Sequence, residues 1–300
     1  MNKLDLSNTD DRIFGRMLAR QAAEAGATEF LINDDQRISF AEAEELTNAL
    51  AGGLQALGVA RGDRVALYMG NRPEMVLLAL AVNKLGAVWT PINTDYKGEW
   101  LLDTLQRCRC KLLVTDETFQ ARITDIQDDL GLEKLMLVAD ASVSQLAGEV
   151  SYYADLINHA PLRPDYSGMD YGDTCAILWT SGTTGKSKGV MQSYNNWVRA
   201  IVQGASRQYS SQPGDVIYCV LPLFNSAAWI TSIYRALIEG IPCVIEQKFS
   251  VTSFWERVRH FGATQTFALG AMGVFLMNTP EKPDDADNPL RVASVIPMPP

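Results

Sequence analysis

The sequence predicts an α/β protein made of two helix-flanked, mostly parallel β-sheet subdomains, the first over residues 1–165 with its connector and the second over 166–300. Three observations predict it. Short β-rich apolar runs alternate with amphipathic helical runs, the order expected of parallel strands covered by helices. A stretch from about 141 to 173, with Pro161, Pro164 and Gly168 among small and polar residues, interrupts that alternation before it resumes. The composition is that of a globular chain, with 300 residues of which 47% are hydrophobic and 20% charged.

Taken in order, Ser39 is placed to cap a helix that runs to about Leu57, where Gly58 ends it. Arg64–Met69 reads as a buried strand. Pro73 suits the first turn of a helix, and Glu74–Leu85 continues it. Strands are expected at Ala87–Thr90, Lys111–Thr115 and Lys134–Val138, with helices at Gly98–Arg107 and Asp116–Leu130 between them. After the connector the expected order is strand Thr174–Thr180, helix Ser193–Arg207, strand Val216–Leu221 and helix Ala227–Ile238. Strand Pro242–Ile245, helix Thr252–Phe261, strand Thr264–Phe267, helix Gly270–Met277 and strand Arg291–Ile296 follow. Met75, Leu78, Ala79 and Val82 fall on one helical face and are assigned to the core.

Charge and composition exclude several function classes. At a net charge of −9 the chain is a poor nonspecific ligand for nucleic acid, because phosphate neutralisation needs clustered cations. An anionic ligand must therefore meet a local positive site: glycine-rich amides, a helix start, one or two lysines. His159 and His260 are the two histidines, and they stand far apart, which leaves little for a histidine metal site or a Ser-His-Asp triad; no metal-ligating residue is assigned. The cysteines at 108, 110, 175, 219 and 243 lack zinc or redox spacing and are expected to be reduced core thiols. The N-terminus has no signal-like apolar stretch, and the run Met75–Val82 is far short of the ~20 apolar residues of a bilayer span. A cytoplasmic protein is expected.

The stretch TSGTTGKSKG, residues 180–189, carries the chemistry. It follows a strand, and its glycines let the backbone approach a ligand closely. Ser181, Thr183 and Thr184 offer hydroxyls, loop amides form an anion-binding concavity, and Lys186 and Lys188 add charge. A polyphosphate suits that set. Gly185-Lys186-Ser187 matches the second half of a Walker A loop, but Thr180 stands where the first glycine belongs.

The stretch instead resembles the phosphate loop of the adenylate-forming enzymes, the acyl-CoA synthetases and their relatives. Further motifs agree in the family's order: Gly58–Val65, Asn71–Glu74, Lys84–Val88, Pro91–Asn93 and Leu221–Asn225. Lys248–Ser250, Phe254-Trp255 and Leu269–Met272 look most like the crotonobetaine/carnitine-CoA ligase branch. The resemblance covers roughly residues 20–300. It implies the large N-terminal domain of such a ligase, without the small C-terminal domain. It implies a reaction in two halves, in which a carboxylate and ATP give an acyl-adenylate and a thiol, usually that of coenzyme A, then displaces AMP, with Mg²⁺ on the phosphates. It implies that Thr180, Ser181, Gly182, Thr183, Thr184, Gly185 and Lys188 bind ATP, and that Ser294, Val295 and Ile296 lie beside the adenine. Phe224, Asn225, Ser226, Ala227, Trp229, Gly270 and Met272 are implied around the acyl group, with Lys188 and Asn225 nearest the chemistry. Trp229 as core is the equal alternative.

Three departures qualify the resemblance. Ser187 stands where the family has proline, which is expected to loosen the turn. Asn225 stands where acid-CoA ligases carry histidine and amino-acid-activating domains carry aspartate; it either faces the acid or caps the following helix. The family's later segments, including a Tyr-Gly-x-Thr-Glu run and a catalytic lysine, are not among these 300 residues, so an N-terminal fragment with little or no ligase activity of its own is expected. An amino-acid adenylation domain and a non-catalytic nucleotide-binding or scaffolding derivative remain the alternatives. A small carboxylic acid, ATP and coenzyme A are the expected partners, and a homodimer stays open.

Overall fold

The protein is described by a computed structural model covering residues 1–132, 134–138, 144–180 and 187–298. Its strands, among the described residues, are β1 (Glu29–Ile32), β2 (Arg37–Ser39), β3 (Arg64–Tyr68), β4 (Val88–Pro91), β5 (Leu112–Asp116), β6 (Leu135–Val138) and β7 (Val150–Tyr152), then β8 (Thr174–Thr180), β9 (Lys188–Ser193), β10 (Ile217–Cys219), β11 (Cys243–Ile245), β12 (Gln265–Leu269) and β13 (Val292–Ile296). Two sheets result. One has the order β7-β6-β5-β3-β4-β8-β9 and the other β13-β12-β10-β11-β1-β2. Pairing is parallel except for the hairpins β8–β9 and β1–β2.

The helix Phe40–Ala56 starts as its sequence predicts. Ser39 and Glu42 form a reciprocal capping box, satisfying amides that the first turn leaves open. Pro73 opens the helix Pro73–Lys84, which is buried along its whole length. Its neighbours explain the all-round burial: it packs on Phe40–Ala56 and Phe14–Ala25. The helix expected from Ser193 begins at Tyr194 with Ser193 as its cap, and a π-helical turn, Ile201–Ala205, interrupts it.

The expected division at 165/166 is not a division between the sheets. β1 and β2, from the first stretch, complete the sheet of β10–β13; β8 and β9, from the second, complete the sheet of β3–β7. Parallel strands pair across long stretches of chain, so position along the sequence does not decide sheet membership. Other elements differ in detail. The expected helix Asp116–Leu130 is two short ones, Gln120–Thr124 and Gln127–Leu130. The connector carries β7 and the short helix Tyr153–Leu156. The helix Phe14–Ala25 and strands β1, β2 and β9 were not expected from the sequence.

An aromatic column runs between the sheets. Trp89 of β4 lies 4.2 Å from Trp229, Trp229 lies 4.9 Å from Tyr234, and Tyr234 stacks on Phe14 at 3.7 Å. All five cysteines are buried and unpaired, as expected of core thiols.

Candidate functional site

The carboxyl ends of the strands of both sheets meet at one cavity. It has a volume of ≈ 260 Å³ and is lined from three directions. Met69, Gly70 and Asn71 follow β3; Val220, Pro222 and Phe224 follow β10; Gln247, Lys248 and Phe249 follow β11. Met272, from the helix Gly270–Met277, also lines it. Crevices outside the carboxyl ends of parallel strands are the usual ligand sites of such sheets. A polar cleft of ≈ 430 Å³ opens beside it and shares Gly70, Asn71 and Lys248.

Asn71 holds this seam together. Its Nδ2 donates to the Leu221 carbonyl at 2.8 Å and the Glu246 carbonyl at 3.0 Å, and its Oδ1 accepts the Leu223 amide at 2.8 Å. One side chain thus ties the end of β3 to the ends of β10 and β11. Asp116, at the end of β5, accepts the Gly70 amide at 2.8 Å and the Thr118 and Phe119 amides at 3.0 and 3.2 Å. Desolvation pushes its carboxyl above the usual range, against the pull of those amides. Neither residue was singled out from the sequence for this work; Asn71 was noticed only within a motif.

Of the residues expected around an acyl group, Phe224 and Met272 line the cavity. Asn225, Ser226 and Ala227 follow Phe224 directly and are half-buried. Asn225 caps the turn Ser226–Ala228: its Oδ1 accepts the Ala227 amide at 3.1 Å. The capping alternative is therefore realised, and Nδ2 has no partner among the described residues. Gly270 sits where a Cβ would come within 2.5 Å of the Pro297 carbonyl, so the helix start packs directly against the chain leaving β13. Trp229 belongs to the core. It is fully buried, and its indole N–H donates to the Leu223 carbonyl at 2.7 Å. The aromatic column, rather than a ligand, claims its ring faces.

The loop flank lies at the same edge. Thr180 ends β8 and pairs with Lys188, which begins β9. β8 runs parallel to β4, and β4 to β3, so both residues stand at the carboxyl edge that carries the cavity. Lys188 is exposed, and its ammonium has no partner among the described residues. Ser181, Gly182, Thr183, Thr184, Gly185 and Lys186 lie outside the described residues. Ser187, the first described residue after them, is itself firmly held: it is 1% exposed, its hydroxyl is held by Tyr96 and Trp100, and its carbonyl accepts from Arg107. The turn it was expected to loosen lies outside the described residues.

Ser294, Val295 and Ile296 lie on β13, paired in register with Phe267, Ala268 and Leu269 of β12. The Ser294 hydroxyl points into the protein and accepts from Gln208 Nε2 at 2.6 Å, whereas Ile296 is half exposed at the strand's carboxyl end. Of the three, Ile296 is nearest the shared edge. Among the described residues no group of three or more His, Cys, Asp or Glu side chains forms a metal cluster.

The profile of AMP-binding enzymes matches residues 18–298. The chain belongs to the AMP-binding enzyme family. Within it, the chain is 31% identical over 263 residues to the crotonobetaine/carnitine–CoA ligase of Salmonella paratyphi B, which covers 85% of the chain and 50% of that protein. It is 28% identical over 283 residues to the medium/long-chain-fatty-acid–CoA ligase FadD6 of Mycobacterium tuberculosis, covering 93% of the chain and 45% of the relative. The anthranilate CoA ligase AuaEII, solved with anthranoyl-AMP, has the same fold at a TM-score of 0.86 and 20% identity, over 97% of the chain and 55% of that structure. The chain spans about half the length of the curated relatives it matches. Among the described residues no helix is long and apolar enough to cross a membrane.

Proposed function

We propose that this chain supplies the triphosphate-binding loop and the acid pocket of an ATP-dependent carboxylic acid–CoA ligase. The observation that carries the proposal is the convergence at one carboxyl edge of the loop flank, with exposed Lys188, and a cavity lined by Phe224 and Met272. A family model over nearly the whole chain and CoA-ligase relatives support it.

The residues present fit the substrates. Lys188 carries a cation with no partner among the described residues, next to a glycine- and threonine-rich stretch, the chemistry that holds β- and γ-phosphates. The Mg²⁺ that accompanies ATP would supply further positive charge to the phosphates. An acid in the cavity would present its carboxylate to the α-phosphorus. The new bond is C(O)O–P, the bond broken is P–O to pyrophosphate, and pyrophosphate leaves. In the second half a thiol attacks the acyl carbon and AMP leaves. The protein's contribution is position and charge: Lys188 stabilises the phosphate oxygens, and the cavity fixes the acid. Neutral Asn225, with its oxygen occupied by capping, disfavours an acid bearing an ammonium at that spot. Its amide donor, without a partner among the described residues, suits a carbonyl, hydroxyl or carboxylate oxygen.

The test is ATP–pyrophosphate exchange with a panel of short, branched, aromatic and carnitine-like acids, run on this chain and on any longer natural form of it. Exchange dependent on one acid class, and lost in Lys188→Ala, supports the reading. A longer form that activates no acid yet binds ATP favours the non-catalytic alternative.

A further inference from the structure

The foot of the loop is built differently from the rest of its stem. β9 is an edge strand, and Lys188, Gly189, Val190 and Met191 are all exposed. Ser187, immediately before them, is sealed. Tyr96 Oη lies 2.9 Å from its Oγ, Trp100 Nε1 donates to the same oxygen at 3.2 Å, and Arg107 Nη1 donates to its carbonyl at 2.6 Å. The Tyr96 and Trp100 rings stack at 5.3 Å with 23° between planes. The Arg107 guanidinium also lies 5.7 Å from the ring of Trp179 on β8, whose indole N–H donates to Thr90 Oγ1 of β4 at 3.0 Å. The helix Gly98–Cys108 carries Trp100 and Arg107, seven residues apart and so on one face two turns along.

We propose that Tyr96, Trp100 and Arg107 are positioning residues for Lys188, gripping Ser187 so that the lysine presents its ammonium at a fixed place on the carboxyl edge. The inference rests on the phosphate role proposed for the loop and adds the device that fixes it. A proline at 187 would stiffen the backbone through its ring. This chain has a hydroxyl there instead and obtains the rigidity from a tether. The grip reaches both stems of the hairpin, through Ser187 beside β9 and through Trp179 on β8. The ligand is the triphosphate end of a nucleotide: AMP, lacking the β- and γ-phosphates, is indifferent to where Lys188 stands.

The experiment uses the 300-residue chain. Binding of MgATP and of AMP is measured by calorimetry for the wild type, Ser187→Ala, Arg107→Met and Lys188→Ala, with hydrogen exchange followed at the amides of β9. The expected result is MgATP affinity about fivefold weaker in Ser187→Ala and in Arg107→Met, the scale of one lost hydrogen bond, with AMP affinity unchanged and β9 exchange faster. Loss of ATP and AMP affinity in parallel overturns the proposal, since a general loosening would do that. Unchanged ATP affinity with unchanged exchange overturns it too. If the wild type does not bind MgATP, or Lys188→Ala binds it as the wild type does, the phosphate reading itself fails. The β9 amides then decide the anchor alone: faster exchange in both variants upholds it, and unchanged exchange overturns it.

Discussion

The seam at Asn71 and the hairpin stem at Ser187 both border the proposed ligand site, and they are built in opposite ways. At the seam, strand ends from both sheets converge, and one half-buried asparagine binds three backbone groups over a core that includes fully buried Trp229 and Trp89. At the stem, an exposed edge strand is pinned at one residue by three side chains. The seam's single asparagine is backed by the buried core beneath it, so its geometry follows from the packing of the fold as well as from Asn71. The stem is singular, so its geometry depends on the tether. The difference teaches where each part of the proposed reaction draws its precision: the acid pocket from the core, the phosphate grip from a local anchor.

The strongest way to break the comparison is Trp229→Ala. Loss of a fully buried indole and its hydrogen bond should cost about 3–5 kcal/mol in urea denaturation. A loss below about 1 kcal/mol would return Trp229 to the pocket and remove the claim that the seam is core-built. The next largest effect concerns charge on the core side. Lys84 is fully buried, with its ammonium 2.7 Å from Glu44 Oε2 and 2.6 Å from Asn48 Oδ1. Desolvation, partly offset by Glu44, lowers its pKa to about 8. Between that value and the unfolded one the unfolded chain holds more protons, so this group adds stability as pH rises and withdraws it as pH falls. The stability gap between wild type and Lys84→Met should therefore move in the wild type's favour by about 3 kcal/mol from pH 8 to 10.5. The shared cysteines and tyrosines cancel in that difference, and a flat gap would show that the ammonium is effectively solvated.

Asn71→Ala should cost about 2 kcal/mol, since it leaves the Leu221 and Glu246 carbonyls and the Leu223 amide without their partner. It should also weaken acid binding in a calorimetric titration, because Phe224 is carried on the segment released. An unchanged melting midpoint would mean that water replaces the side chain and that the seam is not stitched by it. The smallest stability effect belongs to the stem. Lys188→Ala should shift folding stability by less than about 0.5 kcal/mol, because the side chain is exposed and has no described partner. Its effect should appear in MgATP affinity alone. A large loss of stability would show that the lysine is structural, and the contrast between seam and stem would collapse.

Much of this was legible in the chain itself. Ser39 announces a helix start, Pro73 announces another, and continuous apolar runs such as Val65–Tyr68 announce buried strands. The Gly/Thr stretch after β8 resembles a phosphate loop, and that resemblance names the family that residues 18–298 match. These are local signals: caps, fixed φ values and periodicities act within a few residues. The π-helical interruptions at Ile201–Ala205 and Trp229–Ile233 leave no such signal, and a regular helical pattern passes straight through both.

What the sequence by itself determined is therefore much of the succession of strands and helices, the acidic character of the chain, and the family its loop resembles. Only the tertiary structure decided that β1 joins β11 and β8 joins β4, that Trp229 serves the core, that Asn225 spends its oxygen on a cap, and that Ser187 is tethered by residues 80 to 91 positions away. The physical reason is common to all of these but Asn225, whose cap partner lies only two residues on. An apolar strand or a lone polar side chain specifies that it must be buried or bonded, and leaves the identity of its partner to the packing of distant segments.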